Sequence, residues 1–214
     1  MKNCCIVIPT HKEKFNGDEL ASFKQCVNVF GGKYDISVVI PDNINDLFYT
    51  SCGIIVKKFP QKYFSTFQMY NQMCQESSFY KLFSDYGYIL IYQTDAFVFY
   101  DNLKYFIELG YDYYGAPWPH HNDKIGNGGF SLRKVSKMIE VCDKFEPVLE
   151  NEDMWFCLRH SDVINICPLN VAMKFSLESS VKYYLKKSHT IPMGCHKTDL
   201  LGEGVFTQII RYLK

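Results

Sequence analysis

The sequence shows no excess of charge of either sign and contains no long apolar run. Of its 214 residues, 23 are basic and 23 are acidic, and a net charge of zero argues against a nucleic-acid partner. No apolar run approaches the roughly 20 residues that cross a bilayer, and the run before Pro9 is too short for the apolar region of a signal peptide. We therefore expect a cytoplasmic protein, for which peripheral docking at the inner face of the membrane stays open.

Cysteine pairs of the kind that bind zinc or carry out redox chemistry are also missing. The nine cysteines include no Cys-x-x-Cys spacing, and their number is odd. Cys4 and Cys5 lie side by side in an apolar run, which is typical of buried, reduced thiols. This pattern again predicts a cytosolic chain.

What the sequence does contain is an alternation of buried strands with helices. Hydrophobic residues make up 47% of the chain, enough for a substantial core. Residues 4–8, 36–40 and 54–57 are strand-like, and helical patterns lie between them. This β-α-β-α-β order predicts a parallel sheet with right-handed crossovers. We expect a single α/β domain over residues 1–214, with a further short strand at residues 163–166.

The most informative strand is YILIYQ, residues 88–93, which is followed by Thr94 and Asp95. In open α/β sheets, ligands bind beyond the carboxyl ends of the strands. One carboxylate together with substrate phosphates is sufficient to bind Mg²⁺ or Mn²⁺. An Asp in this place is also a common turn former. Asp95 is therefore either a turn residue or a metal ligand that holds the diphosphate of a sugar nucleotide.

Glu152 and Asp153 fall in the first turn of a predicted helix. Acidic residues are favoured there by the helix dipole, so capping alone would explain them. The functional interpretation is a general base, because a glycosyl transfer with inversion needs one carboxylate to take the proton of the attacking hydroxyl. The leaving diphosphate would be stabilised by a metal rather than by an acid.

Residues 126–129, Gly-Asn-Gly-Gly, form a second unusual segment. Three glycines in four positions indicate an unusual backbone or the close approach of a ligand. The segment lacks the spacing and the lysine of a phosphate-binding loop. We expect Gly128 and Gly129 to let a sugar ring lie against the backbone while Asn127 offers hydrogen bonds; a tight turn is the alternative.

Trp118 and His196 are single-residue candidates. Trp118 lies between two prolines in a predicted loop, which makes it the better candidate for stacking on a sugar, although tryptophans are most often core residues. A lone histidine such as His196 is usually just exposed. It would join Asp95 as a metal ligand only if the C-terminal part of the chain folds back over the site.

Five segments occur in an order that resembles the DUF5672 family, bacterial and viral proteins that carry a domain of unknown function and are regarded as glycosyltransferases. The segments are YILIYQTDAF (88–97), YDYYGAPW (111–118), GNGGFSLR (126–133), NED (151–153) and GCH (194–196). The resemblance extends over nearly the whole chain. More broadly, the sequence is similar to glycosyltransferases of the GT-A fold, notably the β-1,4-galactosyltransferase type, in which a Gly-Gly and a Glu-Asp segment shape the acceptor and base region.

The resemblance implies a metal-bridged sugar diphosphate and inversion at the anomeric carbon. Asp95 matches the last acid of the Asp-x-Asp metal motif, and Gln93 stands where that motif has its first acid. His196 resembles the C-terminal histidine that completes the Mn²⁺ or Mg²⁺ site. Glu152 and Asp153 match the acidic pair that contains the base, and Asp153 is the favoured member.

The resemblance also implies where the nucleotide binds. Pro9, Thr10 and His11 resemble the loop after the first strand that meets uridine, and Asp42, after the second strand, would contact the base or the ribose. The rest of the predicted donor-binding set is Gln93, Thr94, Asp95, Trp118, Asn127, Gly128 and Gly129.

We therefore predict a GT-A fold with a mixed, mostly parallel sheet flanked by helices. The predicted reaction is transfer of a sugar from a nucleotide sugar, UDP-linked, to a saccharide or lipid-linked saccharide during synthesis of a surface glycan such as lipopolysaccharide or capsule. A GT-A-like module that binds without turnover is the alternative, because Gln93 replaces an acid. A sugar-nucleotide pyrophosphorylase fits less well, because residues 9–12 lack the glycines of its loop.

Overall fold

The computed structural model describes residues 2–199 and 204–212. Its strands are β1 (Lys2–Pro9), β2 (Asp35–Pro41), β3 (Ile55–Phe59), β4 (Tyr86–Tyr92), β5 (Phe97–Val98), β6 (Tyr113–Tyr114), β7 (Pro117–Trp118), β8 (Lys124–Ile125), β9 (Phe130–Lys134), β10 (Ser176–Leu177) and β11 (Gly194–Cys195). Its helices are α1 (Gly17–Phe30), α2 (Leu47–Ser51), α3 (Phe67–Cys74), α4 (Ser77–Lys81), α5 (Leu103–Leu109), α6 (Val135–Lys144), α7 (Glu152–Met154), α8 (Leu169–Phe175), α9 (Val181–Ser188) and α10 (Val205–Tyr212). None of these helices is long and apolar enough to cross a bilayer.

The main sheet has six strands in the order β3-β2-β1-β4-β9-β6. The first four are mutually parallel, whereas β9 runs antiparallel to both of its neighbours. Helices flank this mixed, mostly parallel sheet, which confirms the predicted fold class. The prediction of a strand at residues 163–166 is wrong: only Ile166 bridges to β6, because the Asp112 carboxylate takes the Asn165 N–H at 3.0 Å.

The central strands are apolar throughout because both of their faces are buried. Ile6 and Leu90 pack into the cluster on one face of the sheet, and Val7 and Ile91 pack into the cluster on the other. Successive side chains of a strand point to opposite faces. A strand covered on both sides therefore reads as an unbroken apolar run rather than as an alternation.

The carboxyl ends of β1 and β4 meet at one edge of the sheet. Because β9 is antiparallel to β4, its amino end and the preceding Gly-Asn-Gly-Gly segment lie at the same edge, with Phe130 opposite Tyr92. The N–H of Gln93 donates to the carbonyl of Gly129 at 2.8 Å. This edge therefore gathers the ends of three central strands.

A second, three-stranded sheet in the order β10-β11-β5 stands beside this edge. β11 pairs parallel with β10 and antiparallel with β5. Its cluster of buried residues, including Leu177 and Cys195, packs against α9 and α10. The small sheet therefore brings the residues that follow β4 next to residues from the C-terminal part of the chain.

Candidate functional site

The small sheet brings together three polar residues that are far apart in the sequence. Asp95 precedes β5, Glu178 follows β10 and His196 follows β11. The N–H of His196 donates to the carbonyl of Leu177 at 3.1 Å, and the N–H of Thr198 donates to the carbonyl of Asp95 at 2.8 Å. The C-terminal part of the chain thus folds back over the end of β4, which is the condition that the sequence set for His196.

The imidazole of His196 is almost fully buried and contacts polar atoms through both ring nitrogens. Nε2 lies 3.0 Å from Gln93 Oε1 and 3.2 Å from Asp95 Oδ1. Nδ1 lies 3.0 Å from Asn127 Nδ2 and 3.5 Å from Glu178 Oε1. One ring therefore links four predicted or candidate site residues.

The electrostatics of this group favour its charged forms. Burial disfavours a charged imidazole, but the hydrogen-bonded carboxylates of Asp95 and Glu178 outweigh it and raise the pKa of His196 to about 9. Burial likewise works against both carboxylates, yet the hydrogen bonds with His196 lower the pKa of Asp95 and of Glu178 below their ordinary values. At neutral pH the protonated ring therefore lies between two ionised carboxylates, and these three groups together carry a net charge of −1.

Gln93 Oε1 and Asp95 Oδ1 each lie at a distance from His196 Nε2 that neighbouring metal ligands also have. Adjacent ligands of an octahedral ion with bonds of about 2.1 Å lie about 3 Å apart, which agrees with the 3.0 and 3.2 Å measured from His196 Nε2. Within the described ranges, His, Cys, Asp and Glu alone form no group of three that could hold a metal. The amide oxygen of Gln93 is therefore needed to complete the set.

The surroundings of these three residues also suit a metal ion. A metal-bound histidine donates its other ring N–H to an acceptor, and Glu178 and Asn127 lie on that side of His196. Asn127 Oδ1 is buried without a partner; turning the amide over, which is a free assignment, would place it against His196 Nδ1–H. Gln93 Nε2 donates to the Tyr70 hydroxyl at 3.0 Å, which directs Gln93 Oε1 toward His196. The residues present fit Mn²⁺ or Mg²⁺, and metal binding would displace the proton from His196 Nε2, because a histidine ligand is a neutral imidazole.

The Gly-Asn-Gly-Gly segment packs closely beneath this group. A Cβ at Gly128 would overlap the Glu152 carboxylate, and a Cβ at Gly129 would overlap the His196 ring. Both positions therefore need glycine for side chains of the protein itself to approach the backbone. The prediction that these glycines admit a sugar ring stays a prediction.

Asp153 is a half-buried carboxylate near the same residues. Its Oδ1 accepts a hydrogen bond from the Met154 N–H at 2.8 Å. Burial, reinforced by the negative charge of Glu152, raises the pKa of Asp153 to about 7. A general base is most efficient when its pKa lies near the operating pH.

Two clefts open at this edge of the sheet. The smaller has a volume of about 120 Å³ and is lined by Phe67, Tyr70, Asn71, Gln93, Asn127, Gly128, Gly129, Asn151, Glu152, Asp153, Glu178, His196 and Lys197. The larger has a volume of about 470 Å³ and is lined by Pro9, Thr10, His11, Phe64, Ser65, Thr66, Phe67 and Tyr70. Phe67 and Tyr70 line both, so the two clefts adjoin.

Comparison with protein families identifies a match over most of the chain. Residues 53–196 match DUF5672, described as a protein of unknown function. The chain belongs to the DUF5672 family. The resemblance inferred from the five segments is thereby confirmed. No curated protein matches the sequence of this DUF5672 protein.

Solved structures show which fold the DUF5672 protein shares. The glycosyltransferase GlyE of Streptococcus pneumoniae TIGR4 matches with a TM-score of 0.60 and 13% identity, over 99% of this chain and 60% of GlyE. The galactosyltransferase LgtC, solved with donor and acceptor sugar analogs, matches with a TM-score of 0.58 and 11% identity, over 98% of this chain and 94% of LgtC. Mouse xyloside xylosyltransferase 1 matches with a TM-score of 0.52 and 10% identity, over 91% and 97%. At such low identities the likeness shows the GT-A fold alone, and the chain spans 60% of the length of GlyE.

Glu152, the second candidate base of the DUF5672 protein, is held in a buried ion pair. Its Oε1 accepts a hydrogen bond from Arg133 Nη2 at 2.7 Å, and the two side chains are 3% and 0% exposed. Arg133 also donates to the Tyr80 hydroxyl at 2.9 Å and to the Gly128 carbonyl. This arrangement gives Glu152 a structural role and leaves Asp153 as the better candidate base.

Replacing Glu152 by Gln should destabilise the DUF5672 protein by about 3–5 kcal/mol, because the Arg133 charge would be left buried without a counter-charge. The exposed pair of Arg159 and Glu150, joined at 2.7 Å, offers a matched control. Glu150→Gln should cost less than about 1 kcal/mol. Chemical denaturation measures both, and equal costs for the two variants would contradict the structural role.

The other predicted site residues are divided between the clefts and their surroundings. Pro9, Thr10 and His11 line the larger cleft, and Asn127 lines the smaller one together with Gly128 and Gly129. Asp42 instead accepts a hydrogen bond from the Gln61 N–H at 3.3 Å and lines neither cleft.

Thr94 and Trp118 also lie outside the lining of both clefts. The Thr94 hydroxyl donates to Glu19 Oε1 at 2.9 Å. Trp118 is 5% exposed and packs in the core, with its ring against Gly126, where a Cβ would overlap it. The structure thus gives Trp118 a core position, and its stacking role is not retained.

Sequence reasoning missed several residues that line the smaller cleft: Phe67, Tyr70, Asn71, Glu178 and Lys197. The first three come from one face of α3, whose helical spacing reads as an ordinary core pattern. Lys197 follows a predicted ligand, and its Nζ pairs with Glu178 Oε1 at 2.5 Å. Adjacency to His196 was the one sequence signal that pointed to Lys197.

Proposed function

We propose that the protein transfers a sugar from a nucleotide sugar, UDP-linked, to a hydroxyl of a saccharide or lipid-linked saccharide, with inversion at the anomeric carbon. The observation that carries this proposal is one small cleft lined by two different groups. Its lining contains a carboxyl group, Asp153, whose pKa is about 7, and two candidate metal ligands, Gln93 and His196. Asp95, the third candidate ligand, is not part of that lining but approaches His196 Nε2 at 3.2 Å. Acid–base and charge-binding groups in one cleft suit glycosyl transfer.

Asp153 acts as the base in this proposal. The acceptor oxygen forms a bond to the anomeric carbon while the bond from that carbon to the diphosphate oxygen breaks. The hydroxyl proton passes to the Asp153 carboxylate, and the bonding electrons leave with the nucleoside diphosphate. Attack on the face opposite the leaving group inverts the anomeric centre. A positioned base of this kind contributes about 10²–10⁴-fold to a rate.

The donor lies across both clefts in this proposal. Pro9, Thr10 and His11 contact the nucleoside in the larger cleft, which leaves the diphosphate beside Asp95 and His196. A divalent cation, Mn²⁺ or Mg²⁺, would neutralise the charge that develops on the leaving diphosphate. Lys197, whose side chain is 67% exposed at the rim of the smaller cleft, can supply a further positive charge.

The proposal also includes the cellular process in which this reaction takes place. The acceptor belongs to a surface glycan under assembly, such as lipopolysaccharide or capsule, and the chain acts as one domain in the cytoplasm, with docking at the inner membrane face left open. The GT-A fold, which the chain shares with the galactosyltransferase LgtC, supports the reaction class.

A screen of nucleotide sugars by thermal shift, with and without Mn²⁺, tests the proposal. A ligand at 100 times its Kd adds about 2.7 kcal/mol to stability, which raises the Tm of a chain of this size by about 5–10 °C. UDP-sugars with Mn²⁺ should give the largest shift, and NMR of the product should show an inverted anomeric centre. The absence of any shift with UDP-, GDP- and ADP-sugars would refute the proposal.

A binding module without turnover is the second candidate function. Gln93 favours this alternative, because its neutral amide oxygen would bind a metal ion more weakly than a carboxylate in the same position. Under this alternative, a nucleotide sugar would raise the Tm, yet neither transfer nor donor hydrolysis would follow. The two functions are therefore separated by assaying activity with the ligand that gives the largest shift.

A further inference from the structure

Phe67 is an exposed aromatic residue at the boundary between the two clefts. It is the first residue of α3, whose N-cap Thr66 accepts a hydrogen bond from the Met69 N–H at 3.1 Å. Phe67 is 69% exposed and lines both clefts. Packing within the fold does not account for a large apolar ring in this position.

Phe67 belongs to a wall of three aromatic residues, Phe64, Phe67 and Tyr70, along the larger cleft. Tyr70 lies three residues after Phe67, on the same face of α3, and its hydroxyl accepts the hydrogen bond from Gln93. The aromatic wall therefore joins the larger cleft to the metal-binding set. The remaining lining comes from Pro9, Thr10 and His11 at the end of β1 and from two hydroxyl residues between the aromatics.

We propose that the base of the nucleotide donor stacks on the aromatic wall, with Phe67 as its principal contact. A cleft of about 470 Å³ lined by three aromatic residues suits a flat π-system. Stacking tolerates every base because each has a π-face. Discrimination between bases then falls to the polar groups of Thr10 and His11 at the end of β1. This inference rests on the proposed function and adds the element that holds the base.

Replacement of Phe67 by Ala tests the inference by calorimetric binding of UDP and of pyrophosphate in the presence of Mn²⁺. Loss of one stacking contact should weaken UDP binding by about 5- to 100-fold. Pyrophosphate has no base, so its affinity should stay the same. Phe67→Trp and Phe67→Tyr should keep UDP affinity within about threefold, because both keep an aromatic face.

Leu47 provides the matched control, because it is equally exposed at 69% and begins another helix, α2, away from both clefts. Leu47→Ala should bind UDP as the wild-type chain does. A Phe67→Ala protein with wild-type affinity for UDP would overturn the inference, and so would an equal loss of pyrophosphate and UDP affinity, which would assign Phe67 to the diphosphate. Failure of the wild-type chain to bind any nucleoside diphosphate would instead overturn the proposed function.

Discussion

Replacing Asp153 by Asn should slow transfer by at least about 100-fold and yet raise the melting temperature at pH 8. Loss of the base should lower the transfer rate by about 10²–10⁴-fold. The gain in stability has the same cause as the raised pKa of Asp153: in the folded chain, burial and the charge of Glu152 disfavour the ionised carboxylate. Asn has nearly the same shape, cannot ionise and can still accept the hydrogen bond from the Met154 N–H.

The direction of the stability change follows from the raised pKa. The pKa of Asp153 is about 7 in the folded chain against 3.8 for the unperturbed group, so the folded state binds the proton more tightly. The resulting stabilisation is full below pH 4 and is lost as the pH rises through 7. One pKa unit corresponds to about 1.4 kcal/mol. Because Asp153 is only half-buried, we expect Asp153→Asn to recover about 1–2 kcal/mol above pH 7, or about 2–8 °C in Tm.

Two measurements check this prediction together. The difference in Tm between the two proteins should be larger at pH 8 than at pH 5, and the wild-type rate should rise with pH and level off above about 7. Asp162→Asn, at an exposed position nearby, is the control for charge removal and should change neither property. Transfer by Asp153→Asn at close to the wild-type rate would remove Asp153 as the base. Loss of donor binding along with transfer would show that it acts in binding instead.

The central part of the fold could be predicted because local sequence determines it. Strands buried on both faces, such as β1 and β4, must be continuously apolar, and β4 must end where polar residues begin at Gln93. The carboxyl ends of parallel strands share one edge, and Asp95 lies there, with its Oδ1 3.2 Å from His196 Nε2. Unbroken apolar runs, separated by segments with helical spacing, were enough to predict this part of the architecture.

The small sheet could not be predicted, although the candidate site depends on it. β5, β10 and β11 have two residues each, too few to show any alternation. Their pairing joins His196 to Asp95 across 101 positions of sequence. Resemblance to the family therefore indicated His196, whereas Glu178, which approaches the same ring, gave no recognisable signal.

The environments of individual side chains were the second feature that the sequence could not predict. The position of Trp118 between two prolines predicted an exposed loop. In the structure, Gly126 has no side chain, so the indole lies against its backbone and is buried in the core. Glu152 looked equivalent to Asp153 in the sequence, but Arg133 reaches it from β9 and neutralises it. Each outcome depends on a partner supplied by another strand or segment, and no local pattern encodes that partner.

Replacing Asp95 by Ala should uncouple UDP binding from Mn²⁺. In the wild-type chain, Mn²⁺ and UDP should each tighten the other by the same factor, because coupling is reciprocal. A coupling of about 1–3 kcal/mol corresponds to about 5- to 150-fold. Asp95 supplies the one carboxylate of the set formed with Gln93 and His196, so its loss should reduce that factor to about one.

The matched control is Asp143→Ala, because Asp143 has 51% side-chain exposure and a surface ion pair, against 52% for Asp95. It should leave the coupling unchanged. UDP affinity that does not respond to Mn²⁺ in the wild-type chain would reject the metal site altogether. Coupling that persists in Asp95→Ala would place the cation elsewhere.

Gln93→Glu extends the same experiment to the residue that departs from the acidic motif. Gln93 Oε1 lies 3.0 Å from His196 Nε2, as a ligand of the same ion would. An added negative charge at this oxygen should therefore tighten Mn²⁺ binding in the absence of nucleotide, since hard cations prefer carboxylate oxygen. Calorimetric titration of Mn²⁺ into Gln93→Glu and Asp95→Ala should move the Kd in opposite directions. Unchanged Mn²⁺ affinity in Gln93→Glu would show that the Gln93 side chain serves Tyr70 and His196 rather than the metal.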